Sequence, residues 1–241
     1  MREIPRYRQL DQAQIAQTLR RLRDRIAERF PQSGLSNVAG ELVSLSEEAF
    51  ENVAYLRRPN WPIRGAVGLV IVAMAVVVVL GALSVRVSSQ VHSVSELVQT
   101  LDASINDIVF LGVAIFFFVT LETRIKRRKA LGSLQQLRSI VHIVDMHQLT
   151  KDPERLMSPQ PDTSSSPERT MTAPELGRYL DYCSEMLSLT SKIAASFAQS
   201  FNDPVVLSTV NEIETLVTGL SGKIWQKITL LDRARESPGV T

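Results

Sequence analysis

His142, Asp145 and His147 lie within six positions of one another, and their nitrogen and oxygen donors are of the types that bind a divalent transition metal. The spacing argues against that chemistry, because helix positions five apart point to different faces and the two imidazoles do not converge. A solvated polar face is the simpler reading, so no metal and no cofactor are expected. Cys183 is the only cysteine, which excludes an internal disulfide and a cysteine-based zinc site and fits a reducing compartment. Asp107, with Asn106 beside it, borders the apolar run 108–121. A carboxylate inside a membrane is a candidate for an ion or proton pathway, but one at the end of a run is better read as interfacial, so the pair is kept as a possible polar membrane site.

The chain carries no glycine loop to cradle phosphate, no nucleophile elbow and no paired metal-ligand spacing, so no enzyme is expected. Arg20, Arg21, Arg23 and Arg25 could face an anionic partner, yet Asp24 and Glu28 interrupt them and the formal net charge is only +2. Binding to nucleic acid is therefore not expected. Ser158 and Ser166 each precede a proline and could accept a phosphate, but the region around them has the composition of a flexible spacer.

The elements around these residues are helical by their periodicity. Residues 65–85 contain no ionisable side chain and are bracketed by Arg64 and Arg86, with Trp61 at the start. About 20 such residues match the thickness of a bilayer core, which predicts a first transmembrane helix. The run 108–121 predicts a second, shorter one that needs residues 103–106 to complete it. Arg57, Arg58 and Arg64 precede the first run, and Arg124, Lys126, Arg127, Arg128 and Lys129 follow the second. By the positive-inside rule both termini are expected in the cytoplasm. The intervening valines and isoleucines, from Val87 through Val91, Val94, Val98, Leu101 and Ile105 to Ile108, alternate steps of four and three as a heptad seam does.

Outside these runs, Leu10, Ile15, Leu19, Leu22, Ile26 and Phe30 form one apolar stripe, and Leu35, Val38, Leu42, Leu45, Ala49, Val53 and Leu56 form another. Pro31 and Gly34 separate them, which predicts an αα-hairpin. Leu131, Leu134, Val141 and Val144 extend the second membrane helix toward Leu149. Thr172, Pro174 and Glu175 predict a capping box, and Asp203 followed by Pro204 a second helix start. Leu180, Leu187, Phe197 and Phe201 on the first of these helices, and Val210, Val217 and Ile224 on the second, are the expected packing residues.

These readings predict an all-α integral membrane protein with a two-helix transmembrane hairpin and cytoplasmic amphipathic αα-hairpins. The expected divisions are a helical hairpin at 1–59, a membrane hairpin at 60–123 with an extracytoplasmic helical loop at 87–106, a helical extension at 124–150, a linker at 151–171, an αα-hairpin at 172–234 and a tail at 235–241. The expected location is a bacterial inner membrane. The expected function is a membrane-anchored, non-catalytic interaction or scaffold protein, with the lipid bilayer, further copies of itself or a protein partner as its contacts. The alternative is an oligomeric two-span channel or membrane-permeabilising effector.

Overall fold

The computed structural model describes residues 9–87, 94–153, 164–165 and 171–236. Helix starts follow local side-chain chemistry. Asp11 accepts hydrogen bonds from the Ala13 and Gln14 amides and opens α1, Gln12–Arg29. Phe30 closes that helix, Gln32 adopts a left-handed φ of 57°, and the Ser33 hydroxyl accepts from the Ser36 amide. The chain thereby reverses into α2, Gly34–Arg57. Pro59 lies in the break before α3, Trp61–Val87, and α4 runs unbroken over Val94–Leu149. Thr172 and Glu175 form the complete reciprocal capping box of α5, Ala173–Ser200. Asp203 accepts from the Val205 and Val206 amides and opens α6, Pro204–Glu236.

By contact clustering the chain divides into two compact units, Met1–Arg57 with Lys129–Thr241, and Arg58–Arg128. The first is a helical bundle with α5 at its centre, packed against α1, α2 and α6. α5 buries Tyr179, Tyr182, Met186, Leu189 and Ile193 in addition to its Leu176–Leu180–Leu187 stripe, as a helix with neighbours on several sides must. Leu19, Leu22 and Ile26 of α1, Leu35 and Leu42 of α2, and Leu134 and Leu137 of α4 are fully buried with them. Each such side chain contributes about 1.5–3 kcal/mol through burial. Phe30 packs edge-on against Tyr179 and Tyr182, with ring centroids at 5.5 and 6.2 Å. Within this apolar interior the Asn52 side-chain amide donates to Ser133 Oγ at 2.8 Å, which pins α2 to α4. No buried side-chain nitrogen or oxygen among the described residues lacks a partner.

The second unit contains α3 and the part of α4 up to Arg128. Here the expectation of a membrane hairpin is corrected. A crossing needs about 20 consecutive apolar residues, or about 30 Å at helical rise. Among the described residues no helix is long and apolar enough to cross a membrane. In α4 the uncharged stretch 108–121 rises only about 21 Å, and Glu122 and Arg124 continue the same helix. The chain is all-helical in its described regular structure. The transmembrane hairpin and the inner-membrane location with both termini cytoplasmic are withdrawn. A helix that is apolar on every side requires burial, and its composition does not say what buries it.

Candidate interaction surface

The foot of the second unit is built on Glu122. Its carboxylate accepts from Arg64 Nε at 2.8 Å, from Lys126 Nζ at 2.8 Å and from the Asn60 backbone amide at 3.2 Å. Lys126 also donates to the Arg58 carbonyl at 2.8 Å. The carboxylate and the ammonium have side-chain exposures of 15% and 10%, so solvent screens this pair much less than a surface pair. Desolvation pushes the Glu122 pKa up, but the hydrogen bonds from Lys126, Arg64 and Asn60 outweigh it and hold the group at about 2. The start of α3 is thus clamped to α4 by charge-assisted hydrogen bonds. Glu122 was not among the sequence-derived candidates, although its position four residues before Lys126 is a readable helix ion-pair signal.

Five of the eight cations expected to mark topology have specific side-chain partners. Arg64 and Lys126 belong to the clamp. Arg57 Nε donates to Ser200 Oγ at 3.0 Å, Lys129 Nζ stands 4.4 Å from the Tyr55 ring centroid, and the Arg124 guanidinium stands 5.6 Å from that of Phe117. Arg58 contributes its carbonyl, Arg127 is half-buried, Arg128 is exposed, and Trp61 is 74% exposed. Leu180, Leu187, Phe197 and Ile224 lie fully in the core, Val210 and Val217 nearly so, and Phe201 is partly buried against it. Asn106 and Asp107 lie on α4, and their side chains are outside the described residues, as is most of the 87–108 seam.

Above the clamp the two helices carry exposed apolar stripes. On α3, Leu69, Val72, Val76, Val79 and Leu80 fall within about 100° of arc at helical periodicity. Each of them is between 50% and 72% exposed. The opposite side of α3, with Val67, Val70, Ile71 and Met74, is half-buried. On α4, Ile105, Val109, Val113, Phe116 and Phe117 form a second stripe, with Phe116 67% exposed. Exposed apolar residues in a row are less common than the single ones found on any protein surface.

The bundle has a shallow cleft of about 360 Å³ lined by Asp145, Gln148, Asp152, Lys223, Gln226 and Lys227 together with apolar neighbours. Its polar groups largely satisfy one another. Lys227 Nζ donates to the Gln148 carbonyl at 2.7 Å and to Gln148 Oε1 at 2.8 Å, while the Gln148 amide donates to Asp145 at 2.6 Å. Desolvation draws the Lys227 pKa down, against the attraction of Asp152 and Asp145. Asp145 is therefore held by Gln148, His147 lies against Gly34, and His142 is exposed. Among the described residues no three His, Cys, Asp or Glu side chains are grouped to hold a metal ion.

Comparison with known proteins gives no match: no family model matches the chain, no curated protein is similar to it in sequence, and no solved structure is similar to it in fold. The functional reading therefore rests on the geometry of the clamp and the stripes. The clamp fixes two helices at one end, and the stripes present apolar side chains along them, an arrangement suited to binding another surface.

Proposed function

We propose that the chain is a non-catalytic interaction protein, with its helical bundle as the stable body and the outward stripes of α3 and α4 as the binding surface. One observation carries the reading: α3 is apolar on its half-buried side and equally apolar on its exposed side. A helix that serves only to cap its own hairpin places charged and polar residues outward. Leu69, Val72 and Val76 occupy those outward positions instead, and their exposure in the isolated chain is unfavourable unless another surface covers them.

The test is a photo-reactive phenylalanine in place of Val113, which is 63% exposed, irradiated in cells that express the full chain. Adducts with a protein, lost when the same label instead replaces the exposed Gln136 of the bundle, support the reading. The absence of any protein adduct at Val113 under conditions that label other surface proteins would sink it.

A further inference from the structure

One side of α4 turns from apolar to cationic along its length, and we infer that it receives a helical segment of another protein whose own apolar stripe ends in carboxylates. The inference rests on the interaction reading above and names the partner's chemistry. At helical periodicity Val109, Val113, Phe116, Phe117, Arg124 and Arg128 fall within about 120° of arc on one unbroken helix. The four apolar members are 48–67% exposed, and both arginines are exposed. A single helix therefore sets the stripe and the cations on one side without any contribution from α3. Glu122 and Lys126 lie on the opposite side of the same helix, where they form the clamp.

Charge decides the occupant. Glu122 is the only carboxylate between Thr120 and Arg128, a stretch that also holds Arg124, Lys126, Arg127 and Arg128. It already accepts from Arg64, Lys126 and the Asn60 amide, so it does not neutralise the outward cations. Among the described residues no carboxylate pairs with Arg124 or Arg128, and the Arg124 guanidinium stands 5.6 Å from the Phe117 ring centroid. That contact keeps a planar fork at the end of the stripe, where it can meet a carboxylate with two hydrogen bonds. Nucleic acid offers anions but no apolar side chains to cover Val113 and Phe116. A helix lying on lipid carries its cations along the borders of its apolar face. α4 has no Lys or Arg from Val94 to Thr123, so its cations meet the stripe at one end only. Val109 and Arg128 are about 28 Å apart along the axis, which a partner helix of about 20 residues spans. The apolar part of this face is on the order of 500 Å², short of the ~800 Å² per partner of a standard stable interface, so the contact is transient, with a dissociation constant of roughly 10 μM.

The probe is a synthetic helical peptide of about 20 residues, with leucines three and four positions apart and three glutamates near one end, labelled with fluorescein and titrated with the full chain. Micromolar binding is expected, at least tenfold weaker when glutamines replace the glutamates. That difference is expected to shrink in 0.5 M salt, which screens exposed charge pairs. In Arg124→Glu/Arg128→Glu the preference is expected to reverse toward a peptide ending in three lysines. Both positions are exposed, so the far-ultraviolet dichroism is expected to hold. If the reversal unfolds the chain, Arg124→Gln/Arg128→Gln takes its place and is expected to bind the glutamate and glutamine peptides alike. Equal affinity of the native chain for those two peptides overturns the acidic partner; if Val113 still labels another protein in cells, the interaction reading stands without it. An adduct at Val113 that joins only two copies of this chain has the same meaning. Sedimentation with phosphatidylglycerol vesicles, with neither peptide binding nor a protein adduct at Val113, overturns both readings.

Discussion

Glu122 shows how much the function of a residue depends on its neighbours. Three donors hold its pKa at about 2, below the ordinary 4.5, so the native state binds its proton less readily than the unfolded chain. The clamp's contribution is therefore complete above about pH 4.5 and is lost as pH falls toward 2. Trp61 begins the helix that the clamp anchors, and Trp225→Phe leaves it as the sole indole. Its fluorescence is expected to change through that acid window, and the change is expected to flatten in Glu122→Gln; an unaltered acid profile in the variant would dissociate the clamp from the transition. Cys183 illustrates the opposite effect. Burial pushes its thiol up to about 12, partly offset by the nearby Lys227 charge. At pH 8 only about one thiol in ten thousand is ionised, so disulfide reagents are expected to react at the rate of opening of the bundle. Fast stoichiometric labelling of native protein would contradict this. The sequence pointed to Arg64 and Lys126 as basic positions beside the apolar runs, but Glu122 is an ordinary surface carboxylate until the fold places Asn60 beside it.

Helix boundaries were legible where side chains cap backbone amides, as at Thr172 with Glu175 and at Asp203. Thr172→Ala is expected to cost about 1 kcal/mol of bundle stability in urea denaturation. The apolar stripes of α1 and α6 were likewise readable, because each of these helices buries a single face. The broad burial of α2 and α5 was not, since Ala39, Ser46, Asn52 and Ser196 become interior only when several helices surround them. The turn between α1 and α2 adds a contact that no local pattern announces. A methyl group on Gly34 would run into the His147 imidazole from α4, with carbon atoms closer than van der Waals contact. Gly34→Ala is expected to destabilise by about 1–3 kcal/mol through overpacking. With His147→Ala also present, the sign is expected to reverse to a gain of up to about 1 kcal/mol, because alanine is the better helix former. Equal costs in both backgrounds would show that the imidazole does not set the constraint.

For the molecule as a whole, the sequence identified an apolar helical segment between amphipathic ones, but not what covers it. The all-round apolar character of 65–85 fits burial by lipid and burial by protein equally well. Among the described residues no helix is long and apolar enough to cross a membrane, and Leu69, Val72 and Val76 are exposed along one side of α3. The two units respond to different equilibria. The bundle is closed by its own core, with Leu187, Ile193 and Phe197 fully buried, so its slowest amides are expected to exchange through opening of a single chain. The second unit keeps Leu69, Val72 and Val76 outward, so it lacks a closed core of that kind. Hydrogen exchange at residues 66–80 is therefore expected to be at least tenfold faster than that of α5 in the dilute chain. Protection of α3 equal to that of α5 in the dilute chain would mean that the hairpin is covered from within its own molecule, and the stripes would then lose their role as a binding surface.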